Sequence, residues 1–161
     1  MKSATIAQLK KELLERSPDE LLAISLRLAK FKQENKELLT YLLFDATDEE
    51  EYVARVKEAI AEQLATVNTK NYYWMRKGVR KALKEVKKYI RYSQKKETEV
   101  ELLLDFCQQL QELRPSIRQD RTLLNIYERQ VVQIRKTIAG LHEDLQFDYK
   151  EELDEIEKLL S

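Results

Sequence analysis

Residues 70–96 read KNYYWMRKGVRKALKEVKKYIRYSQKK, which joins a strong helical pattern to a strong local charge imbalance. At about 100° per residue, six apolar residues fall on one side of a helix: Met75, Val79, Ala82, Leu83, Val86 and Ile90. Eight cations fall on the other side, within an arc of about 140°: Arg76, Lys77, Arg80, Lys81, Lys84, Lys87, Lys88 and Arg91. The pattern predicts an amphipathic helix with a buried apolar face and an outward basic face.

The composition indicates that the rest of the chain is helical as well. Two Gly and two Pro in 161 residues leave little material for tight turns, and 36% of the residues are charged, mostly good helix formers. We therefore expect an all-α fold of about eight antiparallel helices in a single domain over residues 1–161. The short links favour an irregular α-α superhelix of the HEAT-like kind, with a helical bundle as the alternative.

Helix boundaries follow from capping signals. Cap residues followed three positions later by an acid occur at Ser17, Asp48, Thr98 and Asp148. The predicted helices cover about 4–15, 18–32, 35–46, 49–67, 71–93, 98–113, 121–145 and 148–160. The third is apolar nearly all round between Leu38 and Phe44, which predicts cover on several sides.

The seventh predicted helix carries a narrow apolar seam. Its members follow 3-4-3-4-3-4 spacing: Leu124, Tyr127, Val131, Ile134, Ile138, Leu141 and Leu145. Such a seam packs on a neighbouring helix of the same chain or on a second copy, and three heptads favour the same chain. Gly140 interrupts the run and predicts an end or a bend there.

The basic helix allows three interpretations. In the first, its cations form a solvated charged face. In the second, they are neutralised by the acid-rich segments 45–62 or 143–158, from the same chain or from a second copy. In the third, they bind an external polyanion. Nucleic acid is possible but not favoured, because the sequence pI of about 6.7 lacks the basic bias of nucleic-acid binders. Tyr92, at the edge of the arc, would join the stacking aromatics in that case. The candidate residues for binding an acidic partner are Tyr73, Trp74, Arg76, Lys77, Arg80, Lys81, Lys84, Lys87, Lys88 and Arg91.

Catalytic chemistry has few candidates in this sequence. His142 is the only histidine, so sites that need two His ligands are excluded, and Cys107 falls in line with Leu103, Leu104 and Leu110 as a small apolar residue. Two glycines cannot form a phosphate-binding loop. We expect a non-enzyme with no catalytic residues, metal or cofactor.

The N-terminus lacks the apolar core of a signal peptide, and no apolar run reaches the ~18 residues of a membrane span. With a single cysteine, this predicts a cytoplasmic location without a transmembrane segment.

Four segments resemble an uncharacterised family of small bacterial all-helical proteins: 37–45 (ELLTYLLFD), 88–92 (KYIRY), 101–107 (ELLLDFC) and 141–149 (LHEDLQFDY). The resemblance implies an α-α superhelix and assigns no activity or site residue. The function expected is therefore a non-catalytic binding or scaffold module whose basic helix, 70–96, engages an acidic partner. The alternatives are a structural homo-oligomer joined by the 124–145 seam and by opposed charge patches, and a nucleic-acid-binding protein.

Overall fold

The computed structural model describes all residues, 1–161, and its regular structure is entirely helical. The eight α-helices confirm the predicted all-α class. They are α1 (Ile6–Leu14), α2 (Pro18–Phe31), α3 (Gln33–Thr40), α4 (Glu49–Ala65), α5 (Tyr72–Ser93), α6 (Lys96–Glu112), α7 (Arg121–Ala139) and α8 (Glu143–Glu157). A π-helical turn spans Tyr41–Asp45, and 3₁₀ turns span Ile117–Gln119 and Lys158–Leu160. None of these helices is long and apolar enough to cross a bilayer.

The chain divides into two compact units, Met1–Phe44 and Asp45–Ser161. The single domain expected from the sequence stays a prediction, as does the stacking of hairpins into a superhelix. The first unit contains α1 and a hairpin of α2 and α3, which pack against each other. Only Ala29 and Tyr41 are buried in it.

The predicted cover around the third helix is wrong. Leu42, Leu43 and Phe44 are all exposed, and only Tyr41 in that stretch is buried. The reason is geometric: α2 packs against α3 from one direction, and a hairpin cannot enclose a helix that is apolar all round.

The second unit is built around α6. This helix packs against α4, α5, α7 and α8. Its buried side chains form the centre of the core: Val100, Leu102, Leu103, Leu104, Phe106, Cys107 and Leu110. Because each surrounding helix packs its apolar face against α6, its polar face is directed toward solvent.

The seam of α7 packs within the chain. Tyr127, Val131 and Ile134 are completely buried, and the Tyr127 hydroxyl donates to the Ile156 carbonyl of α8 at 2.5 Å. A seam buried in its own chain is not available to a second copy, so the homo-oligomer joined by 124–145 is wrong in that form. The prediction of packing within the chain is confirmed.

Several helix ends differ from the predicted ones. Ser17 and Asp48 cap α2 and α4 as expected, accepting from the backbone N–H three residues on. The seventh helix ends at Ala139 with Gly140 as its C-cap, which confirms the end or bend predicted at the glycine but not the extension to 145. The last helix, α8, begins at Glu143 after His142 and not at 148. Thr98 is no cap either, because its hydroxyl donates to Glu49 inside the unit. Glu151, three residues after Asp148, lies on an exposed helix face, and Glu101, three residues after Thr98, pairs with Lys57, so neither acid marks a helix start.

Candidate functional site

Helix α5 is oriented by its buried side. Met75, Val79, Ala82 and Val86 are between 0% and 1% exposed, which fixes the opposite side toward solvent. The side chain of Asn71 caps the helix by accepting from the Trp74 backbone N–H at 3.0 Å.

Two tyrosine hydroxyls hold α5 in place against the rest of its unit. At its first turn the Tyr72 hydroxyl donates to the Ser116 carbonyl at 2.7 Å, and near its last turn the Tyr52 hydroxyl of α4 donates to the Tyr89 carbonyl at 2.8 Å. Between these anchors, the exposed cations from Lys77 to Arg91 span about 21 Å along the helix, taking 1.5 Å per residue.

Six of the predicted cations lie on that surface as expected. All six are exposed, and none has a carboxylate oxygen within ion-pair distance in the chain. We call this set the basic face: Lys77, Arg80, Lys81, Lys84, Lys87 and Arg91. Because neighbours in this set stand three or four residues apart, they repel one another.

Two predicted site residues have partners instead. Arg76 forms a bidentate pair with Asp120, with its Nε 3.0 Å from the carboxylate, and Lys88 lies 2.9 Å from Glu85 with 12% of its side chain exposed. Arg76 holds the pKa of Asp120 below its ordinary value through this hydrogen bond. Asp120 also caps α7 by accepting from the Leu123 N–H at 3.1 Å. Arg76 and Lys88 therefore act within the fold.

The aromatic residues of α5 also differ in their exposure to solvent. Tyr73 is 53% and Trp74 43% exposed, and their rings meet edge to face with centroids 5.1 Å apart. The Lys77 ammonium lies 5.0 and 5.3 Å from the two ring centroids, a cation–π arrangement. Tyr92, however, is buried against Tyr89, so the expectation that it stacks on a ligand is wrong.

Neither acid-rich segment of the chain neutralises the basic face. In 45–62, Asp45 pairs with Arg55, and Glu49 lies 3.6 Å from Lys95, which stands beyond the end of α5. In 143–158, the ion pair that reaches another helix joins Glu157 to Arg135 on α7. Within the chain, the six cations of the basic face therefore form no ion pair with either acid-rich segment.

A cleft opens beside the C-terminal half of the basic face. It encloses about 620 Å³, within the ~300–1,000 Å³ range of ligand pockets. Its apolar lining comes from three helices: Leu83 and Ile90 of α5, Leu103 of α6 and Ile126 of α7. Its charged lining is Lys87, Arg91, Arg129 and Glu99. Arg129 is exposed and has no ion-pair partner within the chain, like Lys87 and Arg91.

The groups considered for catalysis lie apart from this cleft. Cys107 is completely buried, and burial raises the pKa of its thiol to about 12. His142 is exposed at the start of α8, where its Nδ1 accepts from the Asp144 N–H at 3.2 Å. The structure contains no group of three or more His, Cys, Asp or Glu side chains that could hold a metal ion.

Sequence reasoning missed the cleft and Arg129. Their residues come from three helices, so no local spacing points to them. Comparison with known proteins adds no assignment, since no family model, curated protein or solved structure matches this chain. The resemblance to the small bacterial helical family stays a prediction.

Proposed function

We propose that this chain is a non-catalytic binding module that uses the basic face of α5 to engage an acidic surface on a protein partner. One observation carries the proposal: six neighbouring cations are exposed together and have no carboxylate partner in their own chain. The repulsion among them is relieved when carboxylates of a partner approach. The physical state of the isolated chain therefore favours association with an acidic surface.

The energetics indicate how such a face would work. Each exposed ion pair contributes only about 0.2–1 kcal/mol, so several must form together for useful affinity. A single-sign patch also speeds the encounter with an oppositely charged surface, and salt weakens both effects. Binding should therefore depend steeply on ionic strength.

The test uses a fluorescein-labelled decapeptide of glutamate and the full chain, with anisotropy as the readout. We expect binding at 20 mM salt that weakens at least tenfold at 300 mM salt. Arg80→Glu, Lys81→Glu and Lys84→Glu combined should abolish it.

The matched control changes the charge equally, with Lys10→Glu, Lys11→Glu and Lys30→Glu, which lie on α1 and α2, and should leave binding within twofold. Equal loss in both triple variants would show that net charge alone acts and would contradict the proposal.

Single-stranded nucleic acid is a second candidate, favoured by the exposure of Tyr73 and Trp74 beside the cations. Bases stack on such rings, at about 1–3 kcal/mol per base. A thymidine oligonucleotide would then quench Trp74 fluorescence, and Tyr73→Ala would weaken its binding more than that of the glutamate peptide. If both ligands respond equally to Tyr73→Ala, stacking plays no part and the nucleic-acid candidate fails.

A further inference from the structure

An exposed aromatic residue stands out on α8. Phe147 is 80% exposed, whereas Ile156 on the opposite side of the same helix is completely buried. A single exposed apolar side chain is ordinary on a protein surface. The setting of Phe147 is unusual, because the exposed helix face around it carries mostly acidic side chains.

The residues around Phe147 form one amphipathic surface with an apolar centre. At 100° per residue, five acids of this face surround the ring: Glu143, Asp144, Asp148, Glu151 and Asp154. One exposed cation, Lys150, lies among them, 60° from the ring. All five are exposed, and no Lys or Arg nitrogen of the chain lies within ion-pair distance of them. We call this surface the acidic face of α8.

The cleft beside α5 has the complementary arrangement. Its floor is apolar, and its rim carries three cations without ion-pair partners: Lys87, Arg91 and Arg129. Glu99 is the one acid in the lining. It already accepts hydrogen bonds from Gln133 Nε2 at 2.8 Å and from the Thr137 hydroxyl at 3.3 Å, so its charge is partly satisfied within the fold.

We propose that the acidic face of α8 from a second copy of this chain docks on the cleft, with Phe147 inserted over the apolar floor and its flanking carboxylates on the cationic rim. This inference rests on the proposed function, since it identifies the acidic partner as another copy of the chain.

The spacing of the groups supports this pairing. Glu143 and Glu151 stand about one helical turn on either side of Phe147, or roughly 6 Å each by 1.5 Å per residue. Lys87 and Arg91 are separated by the same one-turn step along α5. Glu143 and Glu151 are therefore two turns, about 12 Å, apart, whereas Asp144 and Asp148 are one turn apart and match the step from Lys87 to Arg91.

Each chain carries one cleft and one acidic face. A reciprocal exchange of these surfaces between two copies would give a dimer with two equivalent contacts, and a one-way exchange would give a longer assembly. Phe147 supplies the apolar burial, and the ion pairs set the orientation and the salt sensitivity.

The test measures the mass of the full chain by sedimentation equilibrium from 1 to 200 μM. We expect concentration-dependent self-association at 50 mM salt. Phe147→Ala should weaken it by at least tenfold, because a buried aromatic ring is removed. Val132→Ala is the matched control: Val132 is an exposed apolar residue of α7 outside both surfaces, and its truncation should change association less than twofold.

Charge reversal provides the decisive pair of variants. Lys87→Glu with Arg91→Glu reverses the rim, and Glu143→Lys with Glu151→Lys reverses the acidic face. Each double variant alone should stay monomeric. Mixed together they should associate again, since the intact acidic face of the first meets the intact rim of the second, and the two reversed surfaces also complement each other.

A wild-type chain that stays monomeric to 200 μM overturns the inference, and so does a mixture that fails to associate. Binding of the glutamate decapeptide shows whether the proposed function fails together with this inference. If the monomeric chain binds the peptide through Arg80, Lys81 and Lys84, the acidic partner is a different protein and only the second-copy inference fails. If it binds neither itself nor the peptide, both proposals fail.

Discussion

Replacing Lys84 should stabilise the fold while weakening the binding of an acidic partner. Lys84 lies in the middle of the basic face, with three of its other members, Arg80, Lys81 and Lys87, three or four positions away. Lys88 is also four positions away, but its charge is compensated by Glu85. Each like-charge pair at this spacing costs about 0.2–0.5 kcal/mol. Lys84→Gln removes three such pairs and should stabilise by roughly 1 kcal/mol, and Lys84→Glu should stabilise by roughly 2 kcal/mol because repulsion becomes attraction.

The free energy of unfolding should be measured in urea at 20 mM and at 1 M salt, with far-UV circular dichroism as the signal. At low salt we expect a higher urea midpoint for both variants, and a melting temperature raised by about 2–4 °C for each kcal/mol. At 1 M salt the Debye length is about 3 Å and the gain should vanish. Arg129→Gln is a suitable control, because no charged residue lies three or four positions from Arg129 on α7.

Two results would refute the reasoning. If Lys84→Gln is no more stable than the wild type at low salt, the cations of the basic face do not repel measurably, and relief of repulsion cannot favour a partner. If the gain persists at 1 M salt, it has another origin, such as helix propensity. The binding measurement has the opposite sign, since the same substitutions should weaken capture of the glutamate peptide.

Three further predictions concern the fold that presents the site. Asp120→Asn keeps the helix cap but removes the charge that Arg76 pairs with. Because the hydrogen bond from Arg76 lowers the pKa of Asp120 in the fold, this contribution to stability is present at pH 7 and is lost as the pH falls through the lowered pKa. The urea midpoint of the wild type should therefore exceed that of the variant at pH 7, and the difference should shrink as the pH falls below about 4. Gly78→Ala should destabilise the fold by about 1 kcal/mol despite its better helix propensity, because the new Cβ would lie 2.7 Å from two Val67 methyl carbons. Adding Val67→Ala should relieve this clash, which a double-mutant cycle would measure. The Cys107 thiol should react with a disulfide reagent only through opening of the fold, so its labelling rate should rise with urea; rapid labelling in native buffer would contradict its burial.

The sequence predicted the helices of this fold better than it predicted which helices pack against one another. The basic helix was expected over 71–93 and spans Tyr72–Ser93, because a charged and an apolar face alternate with helical period through the whole segment. The start of α8 was misplaced, since acids on an exposed helix face repeat at the same spacing as a capping box. Cover around the third helix depends on which neighbours reach it, and no local pattern holds that information.

The candidate site shows the same division between local pattern and tertiary contact. The cations of α5 were predicted from one segment, but the pairing of Arg76 depends on Asp120, which lies 44 residues further along the chain. Phe147 differs, because a signal for it exists in the sequence: nine residues separate it from Ile156, which at 100° per residue puts the two on opposite sides of one helix. If Ile156 belongs to the core, Phe147 points away from it, into an exposed surface that is rich in acids. The proposed docking would bury that ring on the apolar floor of the cleft beside α5, between cations of the rim.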